Sequence, residues 1–405
     1  MSESRSVRKT VYLITNYIHF PSEKSSNRYL ELAKMLSAES DIDLVVITSR
    51  FYHRKYQYRS DLDALRAEVP FKVVFVDERE YHKNISLKRI MATRDFGKNV
   101  MKYIKSNPKP DLIYQVIPTP FVADAVSRYA NKNGIPLILD IQDLWPEAFK
   151  MALNVPVLSD LAFLPFKIKA EGAYRRADAI CAVSSTYVDR ALSVNKKGVP
   201  TAPVYIGINL SDFDRHAEEN RREKTERLTL AYCGALSKSY DIKLVIDALA
   251  LMSDAPRFLV MGDGNSREEF EAYAKEKDVD VTFTGFLSYP EMCGMLCSAD
   301  MTVNPIIGAS VASIINKHGD YAACGLPVIN TQNSPEYMAL IDEYEMGFNC
   351  VGTGAEDLAS KIDLLMKNRE LRDRMGRNSR KCAEERFDRS TSYKKLVDMV
   401  RSLLK

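Results

Sequence analysis

Lys317 and Asp320 stand three residues apart in SIINKHGDYAACGLPVIN (313–330), just ahead of the apolar AACG and a short buried-strand pattern, LPVIN. On a helix, Asn316, Lys317 and Asp320 share one face. A helix that starts in a loop after a strand favours anions through its free N–H groups and its dipole. Ser310 and Ser313 add hydroxyl donors there, and Lys317 adds a full positive charge. Asp320, one turn on, can accept from two vicinal hydroxyls. A diphosphate followed by a ribose fits that set. The same spacing also fits a solvated i,i+3 ion pair, worth about a few tenths of a kcal/mol.

Other strand ends offer related chemistry. AYCGALSKSYDIKLVIDAL (231–249) predicts a strand to Gly234, a loop, and a helix from near Asp241. Gly234 admits a ligand to the backbone and Lys238 reaches toward a phosphate. The full P-loop pattern is absent. VMGDG (260–264) ends another strand at Gly262 without a complete dinucleotide fingerprint. VTFTGFL (281–287) presents the backbone of Gly285, Phe286 and Leu287 to a base.

In the first half, NYIHFPSEKSSNRYLELAKML (16–36) puts Ser25, Ser26 and Asn27 where a phosphate loop would be, without glycines. LILDIQDLWPEAF (137–149) sets Asp140, Gln142, Asp143 and Glu147 after a strand. A carboxylate there acts as base or hydroxyl acceptor. Asp143 reads equally as the cap of a turn before Pro146.

These groups need a scaffold, and the chain predicts one. TVYLITN, IDLVVITS, FKVVFVD, DLIYQVI, IPLILDI, ADAICAVS and APVYIGI are near-continuous apolar runs, as in parallel strands buried on both faces. Helical stretches such as NRYLELAKML and FVADAVSRYANKNG separate them. HAEENRREKTER (216–227) has no apolar period and reads as a linker or exposed excursion. The alternation restarts with LTLAYCG, RFLVMGDG, VTFTGF, ADMTVNP and LPVIN, and the tail is helical. This predicts an α/β protein of two units, 1–207 and 208–388; facing each other, they would put a cleft between the carboxyl ends of their strands.

Composition sets the outer bounds. The 405 residues are 46% hydrophobic and 27% charged, ordinary for a soluble globular chain. No run is long enough to span a membrane, and the N-terminus lacks a signal-peptide core. Seven scattered cysteines read as reduced thiols in a cytosol. Cys293 and Cys297 lie i,i+4, but nothing completes a metal set. The net charge of +3 is unevenly spread: residues 1–200 hold 31 Lys and Arg against 22 Asp and Glu, a balance of +9. That implies an anionic partner for the first half. RFYHRKYQYR (50–59), KNISLKRIMATRDFGKNVMKYIK (83–105) and VPVLSDLAFLPFKIK (155–169) mix cations with apolar side chains, as interfacial faces do. The bland reading is a core helix over 155–169 and ordinary solvated basic faces.

Taken together, the pieces resemble the family 4 retaining glycosyltransferases over essentially the whole chain, which implies an α/β fold of two facing Rossmann-like domains with a central donor cleft and a last helix, about 389–405, that packs back on the first domain. ADAICAVS, VYIGINLSDF, YCGALSKSYDI, VMGDGNSREEFEAYA, VTFTGFLSYPEM and GDYAACGLPVIN carry the resemblance by order and spacing. DLWPEAF looks like a subgroup that builds bacterial surface polysaccharides. One departure concerns two glutamates eight residues apart in the family: here Asp320 holds the second position and Ala312 the first. Ser25 and Ser26 replace the usual first-loop glycines.

The resemblance implies sugar transfer with retention from a nucleoside-diphosphate sugar, UDP-linked and with an N-acetylhexosamine among the candidate sugars, to a lipid-linked or saccharide acceptor. Lys238 and Lys317 would hold the diphosphate, and Asp143 would orient acceptor or donor sugar. Gly234, Gly262, Gly285, Phe286, Leu287, Ser310, Ser313, Asn316 and Asp320 would form the donor site. Ser25, Ser26, Asn27, Gln142 and Glu147 would lie on the acceptor side. No metal and no cofactor is expected, because fixed cations and N–H groups stabilise the leaving phosphate. The expected place is the cytoplasm, peripheral on the inner face of an anionic membrane, with no nucleic-acid partner. Two alternatives remain open: a sugar-nucleotide-binding subunit without turnover, and a sugar-nucleotide epimerase of the same plan.

Overall fold

Alternating side chains of single strands are buried on both sides of a sheet, as the apolar runs require. Val11 and Leu13 of β1 (Lys9–Ile14) enter one core, Tyr12 and Ile14 the other. In the second half, Ala231 and Cys233 of one strand face one core, and Leu230 and Tyr232 the opposite one. The computed structural model describes residues 8–23, 27–83, 86–117, 120–144, 156–307 and 314–404.

The first unit comprises residues 1–204 and 393–405. Its main sheet adds β2 (Ile42–Ser49), β5 (Lys72–Val76), β6 (Leu112–Ile117), β7 (Leu137–Ile141), β8 (Ala179–Ala182) and β9 (Thr201–Pro203), all paired in parallel. The order is β5-β2-β1-β6-β7-β8-β9. A small antiparallel ribbon, β3 (Phe51–Tyr52) with β4 (Gln57–Tyr58), follows β2. The second unit, 205–392, holds β10 (Thr229–Cys233), β11 (Arg257–Met261), β12 (Val281–Gly285), β13 (Met301–Asn304), β14 (Val328–Asn330) and β15 (Gly347–Asn349). They pair in parallel in the order β12-β11-β10-β13-β14-β15.

Each sheet begins in its middle, builds outward one way, then returns to the other side. The order reverses between β1 and β6, and between β10 and β13. At such switch points the flanking loops diverge and leave a crevice beyond the carboxyl ends of the strands.

The boundaries differ from those read in the sequence. The chain passes to the second unit at 204/205 and returns at 393. Arg389 stays with the second unit: its side chain donates to the carbonyls of Ile206 (3.0 Å) and Gly207 (2.9 Å). The Lys394–Leu403 helix lays Leu396, Val397 and Val400 into the core of the first unit beside Leu30 and Ala33. The charged stretch 216–227 is not wholly a linker. Its first residues end the Leu210–Glu219 helix, capped by Asn209, whose side chain accepts from the N–H of Asp212 (3.1 Å). The run 50–59 is not a solvated basic face throughout, because Arg59 is buried and paired with Glu23 at 2.8 Å. β15 and the β3–β4 ribbon had no signal distinct from their surroundings.

One buried ion pair closes the first unit. Arg28 opens the Arg28–Ala38 helix, and its guanidinium lies 3.1 Å from Asp140 of β7. It also donates to the Val204 carbonyl (3.0 Å) and stacks over Tyr393. Tyr114 and Gln142 donate to the two Asp140 oxygens at 2.9 and 2.7 Å. Satisfied this way, a buried carboxylate is tolerated.

Candidate active site

Asn316–Ala323 is a helix, as the 316/317/320 face requires. Its start has no side-chain cap from Ile315; instead His318 Nδ1 accepts from the Ile315 N–H at 3.3 Å. The His318 ring stacks flat on Tyr337, with 3.4 Å between centroids. Burial holds its pKa well below the ordinary value, so the imidazole is neutral.

Beneath this helix start lies a ladder of amides. Asn304, Asn330 and Asn349 stand in register at the ends of β13, β14 and β15. Asn304 Nδ2 donates to Asn330 Oδ1 (2.9 Å), and Asn330 Nδ2 donates to Asn349 Oδ1 (3.0 Å). Three strand ends and the helix start are thus fixed together.

Lys317 turns inward. Its side chain is 8% exposed, and its Nζ is buried with no hydrogen-bond partner. The ammonium sits over the rings of Tyr240 (4.0 Å) and Tyr232 (4.2 Å). Burial pushes its pKa down to about 8, against the pull of Cys233 and Asp320. The lysine reaches this place because Gly234, just past β10, has no side chain: a Cβ there would stand 2.6 Å from Lys317 Nζ. Gly234 has φ +144°. Gly262 is needed for a related reason, since its Cβ would stand 1.8 Å from the Gly234 carbonyl oxygen.

Asp320 faces elsewhere on the helix. It is half-buried and accepts from the Tyr289 hydroxyl at 2.9 Å. Burial raises its pKa to about 6, while Tyr289, Arg389 and Lys317 oppose the shift. No ion pair joins it to Lys317 among the described residues, so the solvated-pair reading of their spacing does not hold. Each charge is held where its ionised form is costly, a pattern that marks functional sites.

The remaining donor-side residues rim the same edge of the sheet. Lys238 is exposed in the loop between β10 and the Ile242–Ala250 helix, which Asp241 caps. Gly285 ends β12, and Phe286 after it is 81% exposed. Leu287 instead packs against the core, and Asn316 is exposed. Gly234 and Lys317 therefore come together at the β10/β13 switch point, walled by Tyr232 and Tyr240, while Asp320 stands on another face of the same helix against Tyr289. Ser310 and Ser313 lie outside the described residues.

The first unit offers a second group. Asp143 follows β7 and keeps access to solvent, while the protein atoms around it raise its pKa against the pull of Arg89. Gln142 is spent on Asp140. Asn27 is a helix cap: Oδ1 accepts from the Leu30 N–H (3.0 Å) and Nδ2 donates to the Tyr17 carbonyl (2.6 Å). It is not free to meet a ligand with either atom. Ser25, Ser26 and Glu147 lie outside the described residues.

Arg89, whose charge acts on Asp143, and the groups gathered around that arginine are not singled out by the sequence. Arg89 donates to the Tyr17 hydroxyl at 3.3 Å, and Tyr81 and His53 Nδ1 are 2.6 Å apart. Burial pushes Glu78 up to about 7 and His53 down to about 4. Nothing in their local spacing groups them; they meet because β1, β2 and β5 are adjacent. In the second unit the missed walls had a faint signal, since Tyr232 and Tyr240 flank the loop that holds Lys238.

Comparison with known proteins bears on both units. Residues 213–382 match the family described as Glycosyl transferases group 1. An uncharacterized glycosyltransferase of Haemophilus influenzae is 28% identical over 187 residues, which is 44% of this chain and 50% of that protein. The chain thus spans about half the length of the curated relative it matches. HepE of Anabaena in complex with UDP is similar over 97% of this chain and 100% of its own, with TM-score 0.66 and 15% identity. Sucrose-phosphate synthase of Thermosynechococcus elongatus covers 98% and 99%, with TM-score 0.69 and 15% identity. WaaG, a glycosyltransferase involved in lipopolysaccharide biosynthesis, covers 96% and 99%, with TM-score 0.62 and 15% identity. At such identities the likeness is one of fold. The chain has the α/β fold of the GT-B glycosyltransferases, two parallel-sheet Rossmann-like units, and its second unit carries the match to Glycosyl transferases group 1.

Proposed function

We propose that this protein is a retaining glycosyltransferase of the family 4 type, taking its sugar from a nucleoside-diphosphate donor, with UDP as the nucleotide. The observation that carries the reading is the unpartnered, buried Lys317 ammonium beside the bare backbone of Gly234. A cation held out of water without a partner is expensive, and a diphosphate repays that cost. Lys238 supplies a second charge at the rim. Asp320 accepts from the ribose hydroxyls, and the exposed Phe286 ring gives the base an apolar surface. The UDP bound in HepE agrees with this choice of ligand.

In the reaction, negative charge grows on the leaving phosphate as the anomeric bond breaks. Lys317, Lys238 and the N–H groups at the start of the Asn316–Ala323 helix stabilise that charge in place, which is our reason for proposing that no metal is required. The acceptor hydroxyl attacks from the leaving-group face and passes its proton to the departing phosphate. Retention then needs no pair of carboxylates flanking the bond. Asp143 orients the reacting sugar or acceptor.

We assign the acceptor to the first unit and propose that it is lipid-linked, within surface-polysaccharide synthesis. Leu87 (79% exposed), Met91 (46%), Leu164 (43%) and Ile168 (57%) project from two helices, among the exposed Lys88 and Lys167. Arg94 and Lys169 approach the same Phe121 ring from those two helices, which draws the surfaces together. An apolar, basic face of this kind suits an anionic bilayer surface. WaaG's part in lipopolysaccharide biosynthesis points the same way. No described helix is long and apolar enough to cross a membrane.

The test is thermal stabilisation by a panel of nucleoside diphosphates, then transfer from the matching nucleotide sugar with and without EDTA. UDP should stabilise the protein, by about 2.7 kcal/mol at 100 times its Kd. Transfer should survive the chelator, and the product should keep the donor's anomeric configuration by NMR. Failure of every nucleoside diphosphate to bind would overturn the reading.

A further inference from the structure

Asn16 is buried just past the carboxyl end of β1, and both polar atoms of its side chain lack a hydrogen-bond partner among the described residues. Gln115 of β6 is buried as well. Its Nε2 donates to the Val116 carbonyl at 2.5 Å, and its Oε1 has no partner among the described residues. Ile14 pairs with Gln115 in the β1–β6 register. Ile113 and Ile117, on either side of Gln115 at alternate positions, enter the same core as Ile14. Thr15 keeps the ladder going, its N–H bonded to the Ile47 carbonyl at 3.0 Å. Alternation then turns Asn16, two residues beyond Ile14, to that same face. The two carboxamides are diagonal neighbours at the β1/β6 switch point.

A buried amide atom left unpaired is costly, and folded interiors keep few of them. Three on one face, at the edge where doubly wound sheets take ligands, call for a molecule that completes them. Two of the three are oxygens and need donors. An ionised phosphate has none to give, whereas a sugar hydroxyl donates and accepts at once. Half-buried aromatic side chains stand next to Asn16. The Tyr17 hydroxyl accepts from Arg89 at 3.3 Å, and its ring centroid lies 5.0 Å from that of His53. Tyr56 stands 5.6 Å beyond His53. A few placed polar groups beside aromatic walls are the usual make-up of a small-molecule site.

We propose that Asn16 and Gln115 bind a neutral saccharide ring of the acceptor through its hydroxyls, a step that rests on the assignment of the acceptor to the first unit. Asn16 Nδ2 donates to one hydroxyl, and its Oδ1 accepts from the vicinal one. Gln115 Oε1 accepts from a further hydroxyl, and the C–H face of the ring lies toward Tyr17 and His53. The Leu87–Ser106 helix sends Arg89 inward to Tyr17. Leu87 and Met91, one turn apart, are exposed on its opposite side. One helix thus serves both ends of a lipid-linked saccharide.

The test uses the whole protein and saturation-transfer NMR, with and without UDP. The probes are the methyl glycosides of glucose, galactose, mannose and N-acetylglucosamine, with sn-glycerol 3-phosphate as the anionic comparison. At least one glycoside should bind. Asn16→Ala and Gln115→Met should each weaken it at least fivefold, and UDP affinity by calorimetry should not change. Asn16→Leu removes both orphan atoms, so it should abolish glycoside binding while raising the thermal midpoint of the unliganded protein. Binding of no glycoside, or binding that the variants keep, overturns the subsite. A preference for sn-glycerol 3-phosphate that is lost in Asn16→Ala overturns its neutral character. Lower thermal stability in both Asn16 variants marks the residue as structural and also overturns the subsite. If the wild type binds a glycoside through Asn16 but no UDP, the glycosyltransferase reading falls and the sugar site stands.

Discussion

The Lys317 ammonium lies 2.6 Å from where a Cβ on Gly234 would stand. A strand-end glycine and a helix lysine thus define one small volume. Gly234→Ala fills it and forces alanine to φ +144°, a conformation that costs about 1–3 kcal/mol. The far end of the lysine is what must move. UDP affinity should drop about tenfold or more while the circular dichroism spectrum is preserved. Calorimetric titration of a folded variant with wild-type affinity would refute the link.

Lys317 carries a stability penalty of its own. Its pKa is pushed down to about 8, so between about pH 8 and 10.5 the unfolded chain binds a proton that the folded chain lacks. Unliganded stability therefore rises with pH through that window and is lowest below it. Lys317→Met keeps the apolar stem against Tyr232 and Tyr240 and removes the charge. At pH 7 the unliganded variant should be more stable, by at most on the order of 3 kcal/mol. The gain should shrink by pH 10.5, and UDP should no longer stabilise. Urea unfolding at both pH values checks this, and a variant weaker than wild type at pH 7 would refute it.

Binding should also take up protons. A diphosphate beside Lys317 restores its pKa toward the ordinary range. At pH 8.5 the unliganded lysine is mostly neutral, so UDP binding should draw in about 0.75 proton. Calorimetry in two buffers of different ionisation enthalpy reads this directly. Uptake near zero at pH 8.5 would place the phosphates away from Lys317.

Asp140 holds the first unit together through Arg28. Asp140→Ala leaves Arg28 buried and unpaired and strips Tyr114 and Gln142 of an acceptor. The expected cost is about 3–5 kcal/mol in denaturant unfolding. Arg28→Met combined with Asp140→Leu should recover much of it. A single variant within 1 kcal/mol of wild type, roughly the worth of one ordinary hydrogen bond, would contradict this account.

The proposed lipid face is tested by Leu87→Glu with Ile168→Glu. Both side chains are more than half exposed, so the fold should survive. Sedimentation with phosphatidylglycerol vesicles at low salt should fall several-fold, and transfer to a soluble acceptor should not. Wild-type binding that ignores both lipid charge and salt would count against the surface.

Much of this was legible in the sequence for a physical reason. Doubly buried parallel strands write themselves as apolar runs, and Asp241 and Gly234 mark the ends of their elements. The 316/317/320 face was legible too, because helical spacing is local. What Lys317 and Asp320 do was not. Their spacing allows an ion pair, and only the tertiary packing of Tyr232, Tyr240 and Tyr289 separates them. Asn27 shows the opposite error: a polar residue in a promising loop is a helix cap. The group around Tyr17, His53, Glu78 and Arg89 is assembled by strand order, which no short motif records. β15 was lost because GFN is too short to show a period.

The helix Lys394–Leu403 completes the core of the first unit although it follows the whole second unit in the chain. On the ribosome, residues 205–392 must be made before that closing helix exists. At about 5–20 residues per second, the first unit waits roughly ten to forty seconds with part of its apolar surface open. The second unit, contiguous in sequence, can finish first. Folding order in the cell thus runs against chain order, and the interval is when the nascent first unit has most need of a chaperone.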